Sequence, residues 1–198
     1  RDAGEREDLL RCKLAHVAAA RCSDKIAAVA VVVRNVPKEE ALVFSVGLGK
    51  ELAAFIQRGL TEFGLAPGNL CLAIPELAFD ETWADGLALS RRIQDLGCLI
   101  CVDHFGQGRL LAEQLQALQP HSVMFELRTV QHVLDNPVAA ASLEAGQRLA
   151  RSAGIVTIAP GIENDSLLEA VQACGIDYAQ GDRFDQPKPL YEVCFAEE

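Results

Sequence analysis

Residues Cys101 to Gly108 read CVDHFGQG, an apolar run that breaks off at Asp103 and His104 and passes into a glycine-spaced loop. A buried parallel strand ends in this way. Its last side chain projects from the carboxyl edge of the sheet, and glycines let the backbone turn sharply toward a helix. Outward from this stretch the pattern repeats: Leu70 to Glu76 (LCLAIPE) precedes it, and Ile155 to Glu163 (IVTIAPGIE) and Tyr178 to Gly181 (YAQG) follow. The strand candidates are Leu70 to Ile74, Leu99 to Val102, Val123 to Phe125, Ile155 to Ala159 and Tyr178 to Ala179. Helical patterns separate them at Ala84 to Leu96, Ala139 to Ala153 and Asp165 to Ala173. Gly97, Gly154 and Gly175 stop these helices, and Asn164 or Asp165 is the N-cap of the last. Short apolar runs alternating with helices predict parallel β/α units.

The first seventy residues read differently. Glu5 to Arg21 has a helical pattern, Ile26 to Val33 is a buried strand, and Leu52 to Phe63 is a helix closed by Gly64. Asn35 to Glu40 is a polar turn, and Ala41 to Val46 is a second strand candidate that would form a hairpin with the first. The total is six or seven strands, short of the eight of a closed (β/α)₈ barrel. The fold class expected is therefore α/β, TIM-barrel-like, incomplete or modified at its N-terminal strands. A barrel missing strands would expose an unpaired edge, for which Glu5 to Arg21 is a candidate cover.

Half of the 198 residues are hydrophobic. That suffices for one substantial core, so residues 1–198 are read as a single domain. The charged start, RDAGERED, cannot be a signal-peptide core and reads as the stub of a linker, making the chain the C-terminal part of a longer protein. The longest apolar run, Ile26 to Val33, is far below the roughly 20 residues of a membrane-spanning helix. Eighteen basic against 28 acidic residues give a net charge of -10, which disfavours nucleic acid as a partner.

The cysteines, Cys12, Cys22, Cys71, Cys98, Cys101, Cys174 and Cys194, are odd in number and lack the density of a disulfide framework. They read as reduced thiols of a cytoplasmic protein. Cys98 and Cys101 form a C-x-x-C, but it runs into a strand instead of opening a helix, where a redox thiol would be activated. No second pair completes a zinc site.

Taken together, from about Leu52 to the C-terminus, the order and spacing of these segments resemble the EAL family of cyclic di-GMP phosphodiesterases. The resemblance implies a barrel whose strand ends hold two divalent cations that activate a water against a phosphodiester bond. The family's L-E-I-T-E strand falls on Leu72 to Glu76, placing Ala73 at a metal-binding glutamate and keeping Glu76, which steadies the following loop. Its D-D-F-G-T-G loop falls on Asp103 to Gly108, with His104 in place of the second aspartate. Its L-K-I-D strand falls on Val123 to Glu126, with Met124 in place of the lysine. Its A-E-G-V-E segment falls on Ala159 to Glu163, with Pro160 at a metal-binding glutamate. The final Y-A-Q-G is intact, including Gln180. Glu40-Ala41-Leu42 spells the signature but lacks room for the strand that should follow it, so the match is read as accidental. The family's asparagine is then Asn35 or is lost.

The resemblance with these losses implies a catalytically inactive regulatory domain that acts by docking another protein, with no metal site assembled. The alternative is a receptor that binds cyclic di-GMP without cleaving it. Its remnant ligand groups would be Glu76, Asp103, His104, Glu163 and Gln180, with one charge from Arg109. An active phosphodiesterase is the third reading. Family members dimerise through helices and loops that correspond to Gly106 to Leu118 and Arg128 to Asn136, so a homodimer is also implied. Each remnant has a structural explanation as well. Asp103 and Glu76 can bond backbone amides of the glycine loop, His104 can be a satisfied polar residue at a pocket edge, Met124 can be core, and Glu163 can answer a helix dipole.

Overall fold

A computed structural model of the chain describes residues 17–22, 25–32, 49–62, 66–79, 83–107 and 110–184. Within them, seven strands form one sheet in sequential order. They are β1 (Val17–Cys22), β2 (Lys25–Val32), β3 (Leu70–Pro75), β4 (Leu99–Phe105), β5 (Ser122–Phe125), β6 (Val156–Ala159) and β7 (Tyr178–Ala179). β1 pairs antiparallel with β2, and every later pair is parallel. Helices cover the crossovers: α1 (Gly49–Glu62), α2 (Trp83–Asp95), α3 (Ala112–Leu118), α4 (Leu127–Gln131), α5 (Pro137–Ser152) and α6 (Asp165–Ala173). This is the expected TIM-barrel-like α/β architecture, modified at its N-terminal strands.

One N-terminal expectation is corrected. Val17 to Arg21, which the helical pattern of Glu5 to Arg21 included, belongs to the strand Val17–Cys22. Its alanines favour a helix in isolation, but the ladder from Val17↔Val31 to Cys22↔Lys25 supplies backbone partners that override so weak a preference. The hairpin partner of the first buried strand is thus β1. Ala41 to Val46, Asn35, Glu40-Ala41-Leu42 and Arg109 lie outside the described residues.

The central strands β3, β4 and β5 are buried on both faces over most of their length, which is why each reads as a continuous apolar run. On the helix side, Leu72 and Ile100 pack with Ile56 and Leu60 of α1 and Ile93 of α2. Farther along, Val102, Phe105, Val123, Phe125 and Ala159 meet Leu115 and Leu118 of α3, Leu143 and Ala150 of α5, and Leu167 and Val171 of α6. The alternate residues Cys71, Ala73, Cys101 and Met124, with Leu99 and Ile158, form a separate cluster on the opposite, inward face.

Local chemistry fixes where the helices begin. The Asn136 side chain accepts from Val138 N and Ala139 N with Pro137 in the first turn of α5, and the Asn164 side chain accepts from Leu167 N to cap α6. Gly154, at φ 71°, turns the chain out of α5 into β6 through a left-handed conformation.

Candidate functional site

The carboxyl ends of β3 to β7 bring together the remnant groups, and β4 determines the geometry. Between Val102↔Val123 and Phe105↔Phe125, β4 spends three residues where β5 spends two. The extra residue is a bulge, and His104 occupies it in the left-handed region at φ 57°. This reverses the side-chain alternation. Asp103 faces inward after Cys101, whereas Phe105 returns to the helix side and meets the Phe125 ring at 5.7 Å. His104 is left at the rim with its side chain 48% exposed.

Three carboxylates at this mouth have donors from the chain itself. Asp103, buried, accepts from His104 N at 2.9 Å through Oδ1, and its Oδ2 lies 3.2 Å from His104 Nδ1. Glu76, 1% exposed, accepts from Gln107 N at 3.0 Å and from Leu110 N at 2.9 Å, pinning the loop between β4 and α3. Glu126 follows β5 and accepts from Gln107 Nε2 at 3.0 Å.

The end of β6 carries the buried Pro160, then Gly161 at φ 70°, where a Cβ would also run into Leu127 Cδ1. Glu163 is exposed just before α6. Gln180 is half-buried after β7, and its backbone ties three segments together: Gln180 N donates to Ala159 O and Ile162 N donates to Gln180 O. Asp103 and His104 are therefore in contact, and Glu76 reaches the same loop. Glu163 and the Gln180 side chain stand on neighbouring strand ends and are not bonded to that pair.

The floor of the mouth is apolar. Ala73 pairs in register with Cys101, and Met124 with Ile158. Burial pushes the Cys101 thiol up to about 12 and the Cys71 thiol to about 11, and raises Cys98 as well. Protonated thiols are poor nucleophiles and poor ligands, which leaves the C-x-x-C without redox character. Among the described residues no three His, Cys, Asp or Glu side chains are gathered to hold a metal ion. Among the described residues, methyl and pyrrolidine groups at Ala73 and Pro160 supply no oxygen donor to a divalent cation, and the oxygens of Asp103 face His104.

Gln107 is the participant that a reading of the residue types misses. It lies inside the CVDHFGQG stretch, but its partner Glu126 comes from another strand, and no local signal links them.

The model of the EAL domain family matches residues 26–187 of the chain. The chain belongs to the EAL domain family. Among curated EAL relatives, it is 28% identical over 148 residues to the cyclic di-GMP phosphodiesterase PdeB of Shewanella oneidensis, covering 74% of this chain and 17% of that protein. It is 28% identical over 140 residues to the cyclic di-GMP phosphodiesterase RocR of Pseudomonas aeruginosa, covering 71% and 36%. The chain thus spans well under half the length of these relatives. Among solved structures, the PaMucR phosphodiesterase in complex with c-di-GMP superposes with a TM-score of 0.71 at 22% identity, over 77% of this chain and 61% of that one. The EAL domain of Xanthomonas citri FimX with c-diGMP superposes with a TM-score of 0.64 at 19% identity, over 75% and 58%. The EAL barrel is the shared feature.

Proposed function

We propose that this EAL domain is a regulatory module of cyclic di-GMP signalling that does not cleave the nucleotide and acts by binding another protein. One observation carries the reading: the buried Ala73 and Pro160 stand at positions where two-metal hydrolysis requires oxygen donors, and the inward face around Ala73 is closed by Cys71, Cys101 and Met124. The electrostatics agree. A dianionic ligand would approach a chain of net charge -10 near Glu126 and Glu163, with Asp165 paired to Arg183. Fold and activity part company here, since the barrel persists through packing that needs no metal.

The test is calorimetric titration of cyclic di-GMP into the chain with magnesium, with manganese and with chelator, followed by chromatography of the nucleotide. The reading expects intact nucleotide in every buffer and no heat of binding. Binding without cleavage would replace protein docking by the receptor reading and direct mutagenesis to Asp103, Glu163 and Gln180. Linear product would overturn both.

A further inference from the structure

We propose that His104 and Gln107 take the place of the family's cations at the mouth, each set by the chain against a carboxylate, so that the mouth is a preformed, metal-independent surface. This rests on the metal-free reading above and says what replaced the metals.

Three observations carry it. The first is the pairing itself: both oxygens of Asp103 are directed at His104, through the backbone amide at 2.9 Å and Nδ1 at 3.2 Å. A carboxylate buried as deeply as Asp103 needs such donors or a cation. The second is the conformation that makes the pairing: the bulge residue is held at φ 57°, a region a side chain of this size seldom adopts, and it is there that the ring folds back on the preceding carboxylate. The third is Gln107, which is fixed twice. Its amide is held by Glu76 and its carboxamide reaches Glu126, so the β4 loop and the end of β5 are bridged by one side chain. Both residues stand where the family loop carries other types, the second aspartate at His104 and the threonine at Gln107.

The experiment is thermal unfolding of the full chain in chelator and in manganese for the wild type, His104→Gly, His104→Asn, His104→Asp and Gln107→Ala, with manganese binding read by electron paramagnetic resonance. Glycine is at ease at positive φ, so His104→Gly removes the ring beside Asp103 Oδ2, keeps the backbone amide that donates to Oδ1, and relieves the backbone. The proposal expects it nevertheless to unfold about 2–4 °C below wild type. His104→Asn, which tolerates the same conformation and keeps a donor, is expected to stay near wild type. Gln107→Ala is expected to lower the midpoint as well. His104→Asp exchanges a donor for a carboxylate and is expected to lose stability in chelator and regain it in manganese, whereas the wild type unfolds identically in both.

Two failures are distinguishable. Manganese bound by the wild type would overturn the metal-free reading itself. An unresponsive wild type with His104→Gly at or above its midpoint would leave that reading standing and overturn the proposed role of His104.

Discussion

Removing the Glu76 carboxylate tests how the mouth is held. The side chain is 1% exposed and accepts from two backbone amides on the far side of β4, Gln107 N at 3.0 Å and Leu110 N at 2.9 Å. A buried N–H stripped of its acceptor costs roughly 1–3 kcal/mol. The two amides differ in what they can recover. Gln107 is exposed and its amide can turn to water, whereas Leu110 is buried and loses its acceptor outright. Glu76→Ala is therefore expected to destabilise the domain by about 3 kcal/mol, or roughly 6–12 °C in Tm for a chain of this size. Glu76→Gln retains one acceptor oxygen and is expected to lose about half as much. Urea unfolding followed by circular dichroism gives the totals, and amide exchange gives the location, with protection falling first at Leu110. A Glu76→Ala domain within about 0.5 kcal/mol of wild type, or unchanged exchange at Leu110, would refute the clamp.

Three further outcomes follow from the packing. A Cβ at Gly146 would sit 2.7 Å from Phe125 Cε1 and 3.5 Å from Phe105 Cε1. Gly146→Ala should thus lower stability by about 1–2 kcal/mol, reversing the gain of about 1 kcal/mol that alanine brings to an open helix; a rise in Tm would show that the ring pair yields freely. Thr157 donates Oγ1 to Asp177 Oδ2 at 2.7 Å and accepts from Asp177 N at 3.1 Å, locking β6 to the start of β7. Thr157→Val should lose about 1–2 kcal/mol by urea unfolding, and Thr157→Ser should recover most of it. The thiols of Cys71 and Cys101 are raised from 9.0 to about 11 and about 12 by burial. Because the unfolded thiols release protons first, stability should be level below pH 9 and fall as pH rises toward 11 to 12, by at most about 1.4 kcal/mol per pH unit for each thiol. Substituting Cys101→Ala should flatten that slope, and an unchanged alkaline limb would refute the assignment.

The parallel part of the barrel is legible in the sequence because its central strands β3, β4 and β5 are buried on both faces, and such strands announce themselves as apolar runs between helical patterns. Tyr178 to Ala179 and Asp165 to Ala173 coincide with their elements, and Asn164 caps as its residue type suggests. The end of β4 is not legible in the same way. The apolar run stops at Val102, but the strand continues to Phe105 because a bulge lets Phe105 rejoin the helix-side core against Phe125. At the amino end, a run of alanines carries too little preference to choose helix or strand, and pairing with β2 decides it.

The sequence by itself determined the α/β alternation and the residue types at the mouth, because burial and turn chemistry act within a few positions along the chain. It also determined which oxygen donors are absent from the family's positions, since alanine and proline lack them whatever the fold. Only the tertiary structure decided how the remaining carboxylates are satisfied. Asp103 meets His104 through a bulge counted against another strand, Glu76 meets amides 31 and 34 residues away, and Gln107 meets Glu126 across two strand ends. A hydrogen bond requires its atoms within about 3 Å in space, and separation along the chain does not specify that distance.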